Sequence, residues 1–284
     1  MRHGFLLVDK PAGMTSHDVV AIARRVLGEK SIGHLGTLDP AATGLLVLAV
    51  GKKALKVVHL FNDLRKQYEA EVTLGAVSTT YDRDGVIEQI APRAGWEIPD
   101  EVVVRRLIAD RFIGKVRQVP PAHSAIKIGG QRAYVAARQG KQVDMPEREI
   151  QIDRCDVITY AFPMLTLRVD CGSGTYIRSL AHDLGALLYC GGYLSALRRT
   201  EVGEWTVAKA VPPKEVQWTD VTPLKEVLKD FPRRDLTASD FEELQFGRNI
   251  EAEVQPGTIG WLDDLPVALL IPAPDGTAHA KKIF

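Results

Sequence analysis

In the stretch from Gly33 to Gly51, GHLGTLDPAATGLLVLAVG, one carboxylate, Asp39, sits in a turn-rich loop directly ahead of the uncharged run LLVLAV. Two uses of that acid are open. Asp-Pro commonly begins a helix or a turn, with Asp as the cap and Pro at the first helical position, and Gly36, Thr37 and Thr43 suit tight turns. The alternative is a carboxylate held at the rim of an apolar site, where burial is costly unless a cation is paired with it. GSGTYIRSLAHDLG offers that cation, because Tyr176 and Arg178 stand one residue apart at a Gly-rich junction between strand and helix, a place where side chains point into a cleft. An Arg fork grips a carboxylate through two hydrogen bonds and holds it ionised. Taken alone, Arg178 also reads as a surface residue without a partner.

Other chemistries lack their motifs. No GxGxxG follows the first apolar run, and GxxxxGKS/T, HExxH and GxSxG are all missing. Cys155, Cys171 and Cys190 are odd in number, far apart and outside any CxxC pair, so they read as ordinary thiols of a reducing compartment and not as a disulfide or zinc framework.

The elements that must carry these residues follow from hydrophobic spacing. LLVDK reads as a short strand, after which Thr15 or Ser16 caps a helix whose apolar face is Val19, Ile22, Ala23, Val26 and Leu27, with Gly28 at its end. LLVLAV is short and continuous, which favours a buried strand over a helix. YEAEVTLG alternates like a half-buried strand, the turn-rich TTYDRDG follows it, and VVVRRLIADRF is amphipathic and helical. REIQIDRCDVITY and MLTLRVDCGSG read as two strands, and YIRSLAHDLGALLYCGG as a helix. Strands and helices mix without a regular βαβ repeat, which predicts an α+β fold around a mixed, mostly antiparallel sheet with flanking helices. A main unit over residues 1–231 and a small β-rich C-terminal unit over 232–284 are expected. The second would end in a hairpin turning on Asp275-Gly276 and would lean on the first.

The 284 residues carry 36 basic and 36 acidic side chains, yet the charge is uneven. Residues 1–66 have a net charge of +5, and residues 105–148, a Gly- and Pro-containing stretch that reads from residue 114 as an excursion from the core, have +7. Locally basic segments bind polyanions even in a neutral chain. No apolar run approaches the roughly 18 to 20 residues of a membrane helix, and the N-terminal apolar stretch is too short for a signal peptide, so a cytoplasmic protein without membrane contact is expected.

Seven segments in order resemble one family. GHLGTLDPAATGLL is similar to the signature loop GHxGTLDPxATGxL of the TruB family of tRNA pseudouridine synthases, and DKPAGMTSHDVV resembles its KPxGxTS opening. KQYEAEVTLG, TTYDRDG, PPAHSAIKIGGQRAYVAARQG, GSGTYIRSLAHDLG and YLSALRRTEVG follow in the family's order, over roughly residues 5–210. The resemblance implies isomerisation of the uridine at position 55, in the T-loop of tRNA, to pseudouridine without any cofactor or metal. It implies Asp39 as the catalytic carboxylate, as nucleophile toward the sugar or as the base that starts glycal formation. Arg178 would be its ion-pair partner in a network with Asp82. Tyr68 would stack on the target base and take part in removing the C5 proton, and Tyr176 and Leu197 would shape the pocket wall. His34 would hold the flipped nucleotides. Basic residues of the excursion, Lys115, Arg117, Lys127, Arg132, Arg138, Lys141 and Arg148, would close on the T-arm. A monomer working without guide RNA is implied, with a shortened PUA-like domain at the C-terminus. Leu35 stands where the family commonly has Thr, and Ser78-Thr79 where it often has Thr-Asp, which bears on how Asp82 is held.

Overall fold

The computed structural model describes residues 3–91, 93–124, 126–128, 131–133 and 144–284. In chain order the first half runs β1 (Gly4–Lys10), α1 (Ser16–Leu27), β2 (Ile32–His34), β3 (Thr43–Val50), α2 (Lys52–Val57), β4 (Lys66–Leu74), the hairpin β5 (Ala76–Ser78) and β6 (Ile87–Gln89), α3 (Glu101–Arg111), β7 (Gly114–Gln118), and the short pair β8 (Lys127–Ile128) and β9 (Gln131–Arg132). The second half runs β10 (Arg148–Ala161), β11 (Met164–Cys171), α4 (Ile177–Leu187), β12 (Gly192–Val202), β13 (Trp205–Thr206), β14 (Thr222–Pro223) and α5 (Leu224–Val227). It ends with β15 (Arg233–Asp235), α6 (Ala238–Gln245), β16 (Thr258–Leu262), β17 (Leu265–Pro272) and β18 (Ala278–Ile283). Among the described residues, no helix is long and apolar enough to cross a membrane.

The main sheet has the order β14-β1-β3-β12-β4-β11-β10-β7, with β2 beside β3 and β13 beside β12. All its pairs are antiparallel except β3 with β12. The expected α+β architecture is therefore present. The lack of charge in LLVLAV has a direct cause, since β3 is covered on both faces. Leu46, Leu48 and Val50 enter one apolar cluster with α1 and α4, while Leu45, Val47 and Ala49 enter a second cluster on the other side.

α1 begins with a reciprocal capping box, Thr15 Oγ1 accepting from the Asp18 amide at 3.1 Å and Asp18 accepting from the Thr15 amide at 2.8 Å. Gly28 closes the helix in the left-handed conformation. Its buried stripe is Ser16, Val19, Val20, Ala23 and Leu27. The expected face was turned slightly too far: Val20 is buried instead, Ile22 is half-buried and Val26 is 45% exposed. Ser16 owes its burial to a polar partner, described below.

The basic excursion begins later than expected. Residues 114–118 form β7, the edge strand of the main sheet on β10. Two of its cations are already paired across that edge, Lys115 with Glu149 at 3.0 Å and Arg117 with Glu147 at 3.0 Å. A charge count along the chain does not show this pairing, because Glu149 lies on β10 and Glu147 directly ahead of it, far in sequence from the cations they meet.

The C-terminal residues form a four-stranded sheet, β15-β16-β17-β18, whose last hairpin turns at Asp275-Gly276, with the Thr277 amide donating to Asp275 Oδ1 at 3.0 Å. The expected leaning on the rest of the chain is present, since Ile259, Trp261 and Leu269 share an apolar cluster with Phe5, Leu45, Val47 and Val57. Lys56 on α2 also donates to the Ile283 carbonyl at 2.6 Å.

Candidate active site

The loop between β2 and β3 contains no helix, so Asp39 caps none. It opens a turn instead, its carbonyl accepting from the Ala42 amide at 3.1 Å with Pro40 at the second position. This loop is tied down along its whole length. Five consecutive carbonyls, from Gly36 to Pro40, each accept a hydrogen bond. Arg199 donates to Gly36 and Thr37 at 3.2 and 3.5 Å, Ser16 to Leu38 at 3.0 Å, and Lys10 and the Gly13 amide to Pro40 at 3.1 and 2.9 Å. Ser16 Oγ also accepts from the Leu38 amide at 2.9 Å.

Two of these donors are fully buried cations that local sequence rules did not single out. Lys10 fills its remaining donor positions with the carbonyls of Pro11 at 2.9 Å and Met14 at 2.6 Å. Burial pushes its amine down to about 8, with the Asp39 charge pulling it back up, so it remains an ammonium at neutral pH. Arg199 uses its Nε on the Leu45 carbonyl at 2.7 Å. Each cation sits among main-chain acceptors that would be left without donors if it were lost, at about 1 to 3 kcal/mol for each buried group. The only sequence signs were that both lie within matched segments, DKPAG and LSALRRT, next to residues that did attract attention.

Sheet order sets Arg199 in place. In the row β3-β12-β4 it lies opposite Gly44 on one side and Tyr68 on the other. Gly44 has φ 98°, and a Cβ there would lie 2.2 Å from the Arg199 carbonyl oxygen, so only glycine lets β12 approach β3 at this point. Tyr68 is buried against Arg199. Burial raises its phenol, while the Arg199 charge and a hydrogen bond from it act the other way.

The predicted acid, cation and second acid meet directly. Arg178 Nε lies 3.1 Å from Asp39 Oδ2, and its Nη1 lies 3.2 Å from Asp82 Oδ2. The same guanidinium donates to the carbonyls of Thr80 at 3.2 Å and His123 at 3.0 Å. The expected two-bond grip of Arg178 on Asp39 is absent. One nitrogen touches Asp39, and its N–H makes no aligned hydrogen bond, so the contact is an ion pair. The fork is divided because two acids and two carbonyls surround one planar cation.

Exposure separates the two acids. The Arg178 side chain is 6% exposed and Asp82 13%, whereas Asp39 is 43% exposed although protein atoms crowd round it. These values place Asp39 on the floor of an open cleft, with Arg178 and Asp82 beneath. The cleft is lined by Asp39, Ala42, Asp82, Arg178, Leu194 and Leu197, among others. Desolvation raises the Asp39 carboxyl above its ordinary range. Arg178 and Lys10 pull it down, while Asp82 and Asp84 push it up. Asp82 is seated by Thr80 Oγ1, which donates to its Oδ1 at 2.5 Å, and by the Asp84 amide at 3.0 Å. Ser78 Oγ donates to the Asp82 carbonyl at 2.5 Å, so the serine that departs from the family pattern still serves this turn. Leu35, the other departure, is buried in the second apolar cluster.

The remaining predicted residues lie at different distances from this centre. Leu197 lines the cleft. Tyr176 caps α4 two residues ahead of Arg178, its backbone bound at both ends by the buried Gln118, which donates to its carbonyl at 2.9 Å and accepts from its amide at 2.8 Å. Arg148 lies over the Tyr176 ring at 4.6 Å and donates to the Gly174 carbonyl. His34, on β2, is half-buried with its ring edge-on to His17 at 6.3 Å, and burial lowers its imidazole. The side chains of Lys127 and Arg132, and the whole of Arg138 and Lys141, lie outside the described residues. The three cysteines are buried and free, and burial raises the Cys155 and Cys171 thiols to about 12 and about 11, so none is a ready nucleophile.

Known proteins share this organisation. The TruB family pseudouridylate synthase (N terminal domain) model matches residues 24–177, and the tRNA pseudouridylate synthase B C-terminal domain model matches residues 178–231. The chain is 44% identical over 254 residues to tRNA pseudouridine synthase B of Mycobacterium sp. (strain KMS), spanning 86% of this chain and 83% of that protein. With the protein of the same name from Thermobifida fusca (strain YX) it shares 43% identity, over 92% of this chain and 90% of that one. The crystal structure of a Cbf5-Nop10-Gar1 complex is similar in fold, with a TM-score of 0.71 at 23% identity, over 99% of this chain and 84% of that one.

Proposed function

The chain belongs to the TruB family of tRNA pseudouridine synthases, enzymes that isomerise uridine to pseudouridine, and from that premise we propose that it acts on the uridine at position 55 in the T-loop of tRNA with Asp39 as its catalytic carboxylate. The observation that carries this reading is the placement of Asp39. It is the most solvent-exposed member of an acid-Arg-acid network in an open cleft, and its loop is fixed at five successive carbonyls.

In the proposed reaction the bond from N1 of the uracil to C1′ breaks, the base turns, and C5 joins C1′. The proton leaves C5 and N1 regains one, so the change is an isomerisation without net redox. Breaking the bond builds positive charge at C1′, much as in glycoside hydrolysis, and an ionised carboxylate opposite it is a suitable partner. Asp39 serves as the nucleophile toward C1′ or as the base toward the sugar that opens a glycal route. The target base must first leave its stack, at a cost of a few kcal/mol. Tyr68 and Leu197 are proposed to receive it, with His34 holding the displaced nucleotides. Tyr176 is proposed to shape the pocket wall with Leu197, and Lys127, Arg138 and Arg148 to meet T-arm phosphates.

Tritium release from C5-labelled uridine in an unmodified tRNA transcript, without guide RNA, tests the function. Release is expected from the protein alone, and its absence would sink the proposal. A transcript with that uridine replaced by cytidine should give none, and undiminished release from it would refute the assigned position.

The raised Asp39 carboxyl gives the pH dependence a sign. The ionised form is the reactive one, so kcat/KM should fall as pH drops through that raised value, on an acid limb above the ordinary aspartate range of about 3.9. Initial rates measured across the acid range check this, and a limb at or below the ordinary value would contradict it.

A further inference from the structure

One face of α4 grips two adjacent residues of the acidic turn. Arg178 and His182 are four positions apart on that helix, so their side chains project from the same face. Arg178 takes Asp82, and His182 takes Tyr81. The Tyr81 and His182 rings are stacked, with centroids 3.9 Å apart and planes at 8°. Tyr81 adopts φ 63°, a left-handed conformation that costs a non-glycine residue about 1 kcal/mol or more.

The backbone at this position does not need tyrosine. Its amide donates to the Ser78 carbonyl at 3.0 Å and its carbonyl accepts from the Leu194 amide at 3.0 Å, bonds that glycine or asparagine would make with less strain. What tyrosine adds is the ring, and the ring lies on His182. The imidazole in turn offers its face: its Nδ1 is buried without a hydrogen-bond partner. Neither ring lines the cleft that holds Asp39, and His182 borders a separate depression with Val77, Ile90 and Tyr189.

We propose that the Tyr81–His182 stack is a positioning device that docks the acidic turn on α4, so that Asp82 holds Arg178 in the orientation in which Arg178 meets Asp39. Both are positioning residues, acting through Asp82 and Arg178. This rests on the proposed role of the Asp39–Arg178–Asp82 network.

A double-mutant cycle under saturating tRNA tests it. His182→Ala and Tyr81→Leu should each lower kcat about three- to tenfold, the range expected for one aromatic pair, with KM for tRNA unchanged. The double variant should be no worse than either single one, whereas His182→Phe, which restores a flat ring, should return kcat to near wild type. His182→Leu, of similar volume without a planar ring, carries the test if alanine lowers the melting temperature. The inference is overturned by an unchanged kcat in His182→Ala or His182→Leu, by losses that multiply in the double variant, or by a His182→Phe as impaired as alanine. Inactivity of the wild-type protein would instead refute the proposed function, so the two failures are distinguishable.

Discussion

Asp39→Asn is expected to lower the rate of tritium release by at least about 10⁴-fold, the order of loss seen when a nucleophile is removed from a preorganised site. The substitution preserves shape and removes only the charge and the capacity to attack or accept a proton. The fold should tolerate it. The Asp39 carboxyl is raised by burial, so ionising it in the native state costs stability at neutral pH, and that cost fades as pH falls and the group protonates. Asparagine removes the cost, while Asp82 at 3.2 Å continues to balance the Arg178 charge. The loop also keeps its shape, because the hydrogen bonds to its five successive carbonyls involve no Asp39 side-chain atom. The melting temperature should therefore not fall, and tRNA binding should be nearly intact. Turnover by this variant near the wild-type rate would show that another group carries the chemistry.

Arg178→Lys is expected to cost about 10²-fold in kcat, the order of loss produced when a reacting group is misplaced by about 1 Å. Lysine keeps the charge but not the planar fork. Arg178 spans four partners in different directions: Asp39, Asp82, and the carbonyls of Thr80 and His123. A single ammonium with three donors cannot reach all of them from the α4 backbone. The acids are then unequally served, and Asp39, held by an unaligned ion pair, is the one that loses definition. KM for tRNA should change little, because the Arg178 side chain is buried beneath the cleft and offers little surface to RNA. Stopped reactions at saturating tRNA would separate kcat from KM, and a wild-type kcat would remove Arg178 from the network.

The orientation of the second acid links these predictions to the stacked rings. Asp82 is the more buried of the two carboxylates and is seated by Thr80, the Asp84 amide and the docked turn. It therefore acts as the fixed end of the network, with Asp39 as the end that reaches solvent.

Much of this molecule follows from the sequence through short-range rules. Thr15 and Asp18 fix the start of α1, Gly28 its end, and the uncharged run LLVLAV declares a strand covered on both faces. Asp39, Arg178, Asp82 and Leu197 are also legible as members of one cleft, because the segments that hold them recur together in a family. Tertiary structure alone decided how they are held. Whether Asp39 caps a helix or opens a turn depends on Lys10, Ser16 and Arg199 drawing the loop carbonyls toward them, and those donors come from three different elements. How the Arg178 fork divides depends on Asp82 and His123 arriving from other segments. The pairing of Lys115 and Arg117 depends on β10 lying beside β7. The physical reason is common to all three. Caps, turns and periodicity are set by neighbours within a few residues, whereas a charged side chain takes whatever partners the sheet order and helix packing bring within about 3 Å.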